Sequence, residues 1–278
     1  MKVRIRPWVK IVFFICIFVS LLYAYSRYIE TKRLKVYEYS IVNNKIPNNF
    51  YGFKIVHFGD IHYKNTTGEK ELSNIVNEIN LLKPDVLIFT GDLFDHNINY
   101  NSKDYDTLKK YICKINVNIE KLYISGEEDN NKYYNTIFND CGFINLDDKQ
   151  ELLYSNGIDA ILFAGISNNN KDINKTLSSI NITNDSKYNI LLIHKPDSID
   201  NIDLSKFNLI LAGHSHNGQI VIPYVTNLIK DRGAVKYYKN YYKINNTDLY
   251  ITSGIGTSKY KLRLFNPPSI NIYRLRNK

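Results

Sequence analysis

The hydrophobic residues of this chain follow two kinds of pattern. Residues 11–24 carry no charge, and with their apolar neighbours they form a stretch at the short end of the roughly 17–25 residues that span a bilayer. From Phe53 onward, short apolar runs alternate with segments of helical periodicity. This alternation predicts an α/β domain that follows an apolar N-terminal segment.

The first unit of the α/β part extends from Phe53 to Thr90. Residues 53–58 (FKIVHF) and 86–90 (VLIFT) predict buried strands, and residues 69–82 place their apolar side chains on one face of a helix. Pro84 ends that helix. A strand, a helix and a second strand in this order predict two neighbouring parallel strands.

Further elements are predicted along the rest of the chain. A helix is expected from about Ser102 to Ile115, followed by a strand at residues 122–125. Asn156-Gly157 lies between two apolar runs and predicts a hairpin with a two-residue turn. Additional strands are expected at residues 188–193, 209–212, 249–252 and 270–275.

The N-terminal apolar stretch is interpreted as a membrane anchor over residues 8–26, after a short tail of residues 1–7. A cleaved signal peptide is the alternative, but no small-x-small cleavage pattern precedes the charged residue Arg27. Basic residues on both sides nearly balance, and the brevity of the tail favours an inside N-terminus and an extracytoplasmic body. Residues 27–50 are then a polar linker, and residues 51–278 form the globular domain.

Composition and charge agree with this arrangement. The 278 residues are 44% hydrophobic, which is typical of a folded protein, and their net charge is +9. Residues 1–35 hold eight basic residues and one acid, 8 − 1 = +7, so the remaining chain carries 9 − 7 = +2. Basic residues beside an anchor can bind anionic lipid headgroups, and nucleic acid is not an expected partner.

The three cysteines exclude a disulfide scaffold and a four-cysteine zinc site. Cys113 and Cys141 could form a disulfide if the domain is exported, or they could be buried free thiols. Neither a nucleophile elbow of the G-x-S-x-G type nor a glycine-rich phosphate loop occurs in the sequence.

Polar residues with metal-binding chemistry follow the predicted strands. Because ligand groups gather beyond the carboxyl ends of strands in open α/β sheets, we expect these side chains to meet at one edge. Four of the six histidines belong to this set, whereas His57 and His96 are interpreted as structural residues. The strand ends are Gly59-Asp60-Ile61-His62, Gly91-Asp92-Leu93-Phe94-Asp95, Gly126-Glu127-Glu128-Asp129, His194 and Gly213-His214-Ser215-His216.

A mixture of carboxylate oxygens and imidazole nitrogens favours Mn, Fe or Zn, whereas Ca prefers oxygen ligands alone. The candidates exceed what one tetrahedral site needs. They suit two divalent ions that share a bridging carboxylate, an arrangement that activates water for attack on a phosphate ester. We therefore expect two divalent metal ions as cofactors.

The ordered motifs resemble those of the calcineurin-like metallophosphoesterase superfamily, over residues from about Phe53 to Leu275. The C-terminal part, from GHSHNGQIVIP onward, is similar to the membrane-anchored bacterial subfamily, some of whose members act on UDP-2,3-diacylglucosamine. The resemblance implies a four-layer fold in which two packed mixed β-sheets are flanked by helices. It also implies a metal-dependent phosphoesterase.

The resemblance assigns a role to each motif residue. Glu127 stands at the position of a metal-binding Asn and is itself a predicted metal ligand, because a carboxylate can replace the amide there. Glu128 stands at the position of a His that contacts the phosphate, and with Asp95 it is a candidate catalytic residue. The implied metal ligands are Asp60, His62 and His216 for the first ion, Asp92 as the bridge, and His194 and His214 for the second.

The motif at Gly126 departs from the family pattern, which is Gly-Asn-His followed by an acid. An ionised Glu128 would repel a phosphate, and it could act as an acid only if burial or its neighbours raised its pKa. Two hypotheses follow. The chain is either a phosphoesterase that cleaves a phosphodiester or pyrophosphate of a phosphorylated small molecule or lipid at the membrane surface, or a weak or inactive relative that binds metal or a phosphorylated ligand.

Overall fold

Two six-stranded mixed sheets lie at the centre of the computed structural model, which describes residues 6–170, 172–180, 186–222 and 232–277. The strands are β1 (Lys35–Val42), β2 (Lys54–Phe58), β3 (Val86–Phe89), β4 (Glu120–Tyr123), β5 (Ile144–Asn145), β6 (Gln150–Tyr154), β7 (Ala160–Gly165), β8 (Ser186–Ile193), β9 (Leu209–Ala212), β10 (Tyr241–Ile244), β11 (Thr247–Ile251) and β12 (Ser269–Arg276). The helices are α1 (Pro7–Ala24), α2 (Glu69–Leu82), α3 (Ser102–Ile112), α4 (Tyr133–Asp140) and α5 (Ile173–Ser179).

The first sheet has the strand order β1-β12-β2-β3-β4-β5, and the second has the order β10-β11-β9-β8-β7-β6. Strands β2 to β5 run parallel to one another, while β12 is antiparallel to β2. In the second sheet, β7, β8, β9 and β11 are parallel, and β6 and β10 are antiparallel edge strands. The predicted fold of two packed mixed sheets flanked by helices is confirmed.

The alternation of side chains along each strand explains the four layers. Ile55 and Ile88 of the first sheet pack against Phe163 and other residues of the second. Their neighbours on the opposite face, such as Val56 and Phe89, pack against the layer of α2, α3 and α4. Since both faces of β3 are covered, its sequence VLIF is apolar at every position.

Most predicted elements lie where the hydrophobic pattern placed them. Helix α2 and strand β9 have the predicted bounds, β2 and β3 are parallel neighbours, and β6 and β7 form the predicted hairpin. Helix α3 ends at Ile112, three residues before the predicted end, because Cys113 and Lys114 form a closing turn. The strand expected at residues 122–125 is β4, which begins and ends two residues earlier.

The connection predicted over residues 27–50 contains a strand. Strand β1 pairs in parallel with β12 at the edge of the first sheet, and Ile41 is buried in the core between the sheets. The residues just before it also pack on the domain, since Ser26, Glu30 and Thr31 are buried. The polar segment after the apolar stretch is therefore joined to the domain by packing and strand pairing.

Helix α1 is exposed along its length and continues through a π-helical turn at Tyr25–Ile29 and a 3₁₀ turn at Glu30–Lys32. Within the described part of the chain, this helical segment alone has the length and composition to cross a membrane, which suits an anchor or a signal sequence. Lys2 and Arg4 of the predicted tail lie outside the described residues.

A disulfide joins Cys113 to Cys141 and connects the C-terminal ends of α3 and α4. This result decides between the two states that the sequence left open for these cysteines. Cys16 is a free cysteine within α1.

Candidate metal centre

Six of the predicted ligands form two clusters at the carboxyl ends of β2, β3, β8 and β9. The first triad is Asp60, His62 and His216, and the second triad is Asp92, His194 and His214. In each triad the potential ligand atoms lie within 4.8 Å of one another, which is close enough for a single ion. Five of these residues are buried, and His214 is partly buried.

The backbone of the ligand loops is strained in a way that marks a functional site. Five of the six triad residues have a positive φ, although none is a glycine. Such conformations cost about 1–3 kcal/mol each and persist where the surrounding structure enforces them. The values are 52° at Asp60, 42° at His62, 58° at Asp92, 67° at His214 and 46° at His216.

The loops after β3 and β4 approach each other closely through two glycines. A Cβ atom on Gly91, whose φ is 96°, would lie 2.3 Å from the backbone nitrogen of Gly126. A Cβ atom on Gly126 would lie 2.2 Å from Oδ1 of Asp92. Asp92 can therefore occupy its position because neither glycine has a side chain.

Asp92 belongs to the second triad and also lies close to the first. Its Oδ2 atom is 3.1 Å from Nε2 of His194 in the second triad and 3.7 Å from Nε2 of His62 in the first. The buried carboxylate of Asp129 holds this loop, since it accepts hydrogen bonds from the backbone amides of Asp92 and Gly126 at 2.7 and 2.8 Å. Asp92 is thus the carboxylate placed to be shared between two ions.

Backbone carbonyl groups orient two of the imidazoles. Nδ1 of His194 donates to the carbonyl oxygen of Thr90 at 2.7 Å, so its Nε2 faces the other ligand atoms of the second triad. Nε2 of His214 donates to the carbonyl oxygen of Arg232 at 2.9 Å, so Nδ1 faces the same point. Metal-binding histidines are commonly fixed in this way by a partner behind the ring.

The chemistry of both triads fits a cation. Within the described residues, Oδ2 of Asp60 is buried without a hydrogen-bond partner. Ring nitrogens face each other at 3.2 Å in two pairs, His62 with His216 and His194 with His214. Facing ring nitrogens beside an unpaired buried carboxylate oxygen form a set of ligand atoms that a bound cation would satisfy.

The electrostatics of the two triads lead to the same conclusion. Burial would lower the pKa of His194, but Asp92 beside it raises that pKa to about 10, so the ring holds a proton that an ion would displace. Burial raises the pKa of Asp60 to about 7. Burial also opposes ionisation of Asp92, yet the charge of His194 outweighs it and lowers the pKa of Asp92.

The other predicted site residues lie on the wall of the cleft outside the triads. Glu127 pairs with Lys195, at 2.6 Å between Oε2 and Nζ, and its Oε2 is 4.0 Å from Nδ1 of His214. Glu128 contacts His96. Asp95 accepts a hydrogen bond from Asn65 at 2.7 Å, and its Oδ2 lies 3.9 Å from Nδ1 of His62.

The two histidines interpreted as structural have different surroundings. His57 is buried in β2, where its Nε2 is 2.9 Å from the hydroxyl of Thr90, as a structural residue would be. His96 is 68% exposed and lies on the wall of the cleft, against the carboxylate of Glu128. Its position after the second motif gave no indication of this contact.

Two positive residues near the triads were missed by the sequence analysis. Lys195 follows His194 directly and holds Glu127. Arg263 is fully buried, with Nη2 3.3 Å from Nδ1 of His216, and it donates to the backbone carbonyl of Ser253 at 2.7 Å. The segment around Arg263 has no motif spacing, so only the run of basic residues from Lys259 to Arg263 could have drawn attention to it.

The triads open into a cleft of about 490 Å³. Acidic residues of the motif loops lie on one part of its wall, and Arg232, Lys259 and Lys261 lie on another. These cations give the cleft a positive region next to the candidate metal positions, which suits an anionic substrate.

Several known proteins are similar to this chain. The chain is 30% identical over 270 residues to the uncharacterized metallophosphoesterase YkuE of Bacillus subtilis, covering 92% of this chain and 90% of that protein. It is 26% identical to the phosphodiesterase YaeI of Escherichia coli, covering 80% and 82%. A solved dimetal phosphatase from Danio rerio is similar at 9% identity with a TM-score of 0.43, over 74% of this chain and 88% of that one.

The family model described as calcineurin-like phosphoesterase matches residues 53–218, which contain all six triad residues and the whole of the departing motif. The match identifies a hydrolase of phosphate esters, and the two triads agree with it. The chain belongs to the calcineurin-like phosphoesterase family.

Proposed function

We propose that this protein is a membrane-bound phosphoesterase that cleaves a phosphodiester or pyrophosphate carried by a lipid or small molecule at the membrane surface. The observation that carries the proposal is the pair of buried triads joined by Asp92 at the floor of an open cleft. The similarity to YaeI, which is named a phosphodiesterase, supports a diester.

Two divalent ions would complete the site. Asp60, His62 and His216 would hold the first, His194 and His214 the second, and Asp92 would bridge them. The mixture of oxygen and nitrogen ligands favours Mn, Fe or Zn. When bound, such a pair supplies Lewis-acid stabilisation of the phosphate oxygens and lowers the pKa of the attacking water.

The chain's own residues would bind and orient the ester. Arg232, Lys259 and Lys261 lie on the cleft wall and can neutralise the phosphate or a second phosphate of a pyrophosphate. Asn65 donates to Asp95 and to the carbonyl oxygen of Thr257, each at 2.7 Å, and so connects the loop after β2 to the segment that carries the two lysines.

The position of the anchor supports a substrate at the membrane. The backbone amide of Arg263 donates to the carbonyl oxygen of Ser26 at 3.1 Å, directly after the apolar part of α1. Lys259 and Lys261 of the cleft belong to the same short segment as Arg263, and the exposed side chains of Tyr260 and Phe265 lie beside them. The cleft wall is therefore tied to the end of the predicted anchor.

The disulfide supports an extracytoplasmic domain. Disulfides such as Cys113–Cys141 form and persist in oxidising compartments. An inside N-terminus followed by one span would place this bond outside the cytoplasm, in agreement with the orientation predicted from the short tail.

The second candidate function is binding without turnover. It is favoured by the change of the family's Gly-Asn-His to Gly126-Glu127-Glu128. Glu127 forms an ion pair with Lys195, and Glu128 adds a carboxylate to the cleft in which a phosphate would bind. Like charges close to a phosphate oppose its binding unless they are neutralised.

The test uses the full chain in detergent, loaded with Mn²⁺. Turnover is measured with p-nitrophenyl phosphate, with its bis ester, and with UDP-2,3-diacylglucosamine as a lipid pyrophosphate. We expect hydrolysis of the bis ester to exceed that of the monoester. A protein that retains two ions by elemental analysis but hydrolyses none of these would support the binding function and refute the proposed one.

A further inference from the structure

We propose that His96 is a catalytic residue that protonates the leaving group, and that Glu128 is the residue that positions it. This inference rests on the proposed phosphoesterase function. The family pattern has a His at the position of Glu128. The proposal explains how this chain could act without that His, because His96 of the neighbouring loop would supply the imidazole.

Glu128 contacts both the backbone and the ring of His96. Its Oε2 atom accepts a hydrogen bond from the backbone amide of His96 at 2.8 Å and also contacts Nδ1 of the ring. An ionised carboxylate only accepts hydrogen bonds, so Nδ1 carries a proton in this contact. Nε2 makes no hydrogen bond with any residue in the described part of the chain and is the free end of the ring.

The pair is fixed to the candidate metal centre through the backbone. The backbone amide of Glu128 donates to Oδ1 of Asp92 at 2.9 Å. The residue that positions His96 is therefore hydrogen-bonded to the proposed bridging ligand. The side chain of Glu128 is 15% exposed, whereas that of His96 is 68% exposed. A partly buried carboxylate behind a more exposed imidazole resembles the pairs that orient catalytic histidines elsewhere.

The pair also changes the charge that a substrate meets. Glu128 alone would place a carboxylate where the phosphate must bind. The ring of His96 contacts this carboxylate, and both side chains line the same cleft as the triads. The pair thus presents an imidazole, instead of an uncovered carboxylate, to the phosphate.

The proposed step balances as follows. The oxygen of a water that has lost one proton to solvent forms the new bond to phosphorus, and the bond from phosphorus to the leaving oxygen breaks with its electron pair on that oxygen. Nε2 of His96 transfers its proton to this oxygen, which gives a neutral alcohol or phenol. The neutral imidazole, still held by Glu128 through Nδ1, then recovers a proton from solvent.

A general acid matters most when the leaving group is poor, which provides a test. Diphenyl phosphate releases a phenol with a pKa near ~10, whereas bis(p-nitrophenyl) phosphate releases a far more acidic phenol. General acids contribute ~10²–10⁴-fold to rate. We therefore expect His96→Gln to reduce kcat for diphenyl phosphate by ~100-fold or more, and kcat for the nitrophenyl ester by less than about tenfold.

The variants are made in the full chain in detergent with Mn²⁺, and elemental analysis checks that both ions are retained. Glu128→Gln should show the same selectivity with a smaller loss. Placing a His at the family position, by Glu128→His in the His96→Gln background, should restore turnover of diphenyl phosphate. A merely structural role for the pair would not produce this dependence on the leaving group.

Two results would contradict the proposal in different ways. If wild-type protein hydrolyses both esters and His96→Gln changes neither, or reduces both equally, His96 is not the proton donor. If wild-type protein with two bound ions hydrolyses neither of these esters and none of the substrates named above, the phosphoesterase function itself is refuted, and the inference falls with it.

Discussion

Oδ2 of Asp92 lies 3.1 Å from Nε2 of His194, and the same oxygen is 3.7 Å from Nε2 of His62 in the other triad. One carboxylate is thus within reach of ligands from both clusters. The loop that carries it donates three hydrogen bonds to Asp129, from the amides of Asp92, Leu93 and Phe94. A bridging carboxylate held this firmly would couple the occupancy of the two proposed metal positions.

The substitution Asp92→Ala should empty both positions. It removes a ligand that both ions would share, so each affinity should fall by more than the ~10–100-fold that loss of an outer-shell partner costs. Elemental analysis of the purified full chain measures this directly. The control is Asp159→Ala, whose carboxylate pairs with Lys187 outside the triads. Retention of both ions by the Asp92→Ala protein would refute the bridging role.

Lys195→Met should strengthen binding of the second ion. Nζ of Lys195 holds Glu127 at 2.6 Å and keeps its Oε2 4.0 Å from Nδ1 of His214. If Glu127 completes the ligand set, the ammonium group competes with the metal for this carboxylate. Partly exposed ion pairs are worth about 0.2–1 kcal/mol, so we expect a gain of about 1.5- to 5-fold in affinity.

Calorimetric titration of the apo protein with Mn²⁺ measures that gain, and the double variant Glu127→Ala with Lys195→Met is the control. Loss of Glu127 should abolish the benefit of removing the lysine. An unchanged affinity in Lys195→Met protein would remove Glu127 from the proposed ligand set.

The triads could be predicted from the sequence because their chemistry depends on residue type and on strand order. Asp60 and His194 are far apart in the chain, yet both directly follow buried strands, and parallel strands deliver their ends to one edge. The contact between His96 and Glu128 could not be predicted, since it joins two loops whose paths depend on the close approach of Gly91 and Gly126.

The same limit explains what was missed in the fold. Strand β1 buries only Ile41 among its eight residues, so its sequence lacks the apolar run of a core strand and predicts a linker. Its partner is β12, more than two hundred residues later, and no local pattern identifies such a pairing. Buried central strands such as β3 were predicted because burial on both faces requires a continuous apolar run.

Reduction of the disulfide should destabilise the domain. The Cys113–Cys141 bond closes a loop with a sequence separation of 28 residues between α3 and α4, and a loop of that size predicts about 3–4 kcal/mol. The double variant Cys113→Ser with Cys141→Ser should therefore have a lower Tm than wild-type protein. Cys16→Ser is the control, because this free cysteine lies in α1. Equal midpoints for the double variant and wild type would show that the bond is absent or adds nothing.

His57 should make the stability of the domain dependent on pH. The residue is fully buried in β2 between Thr90 and Tyr273, and burial lowers its pKa to about 3. An unfolded chain binds this proton near pH ~6.5. Between these two values the unfolded state holds one proton more than the folded state, so stability is present above pH ~6.5 and is lost as the pH falls toward 3.

The substitution His57→Gln should remove this contribution. One proton of linkage changes the free energy of unfolding by about 1.4 kcal/mol per pH unit at most, so the variant should lose stability less steeply than wild type on acidification. Urea unfolding of the full chain in detergent at several values between pH 4.5 and 7.5 measures both slopes. The histidines of the triads contribute equally to the pH dependence of stability in both proteins. Lys239→Gln, at an exposed position, serves as the control. Parallel curves for His57→Gln and wild type would show that this ring takes up its proton without unfolding the domain.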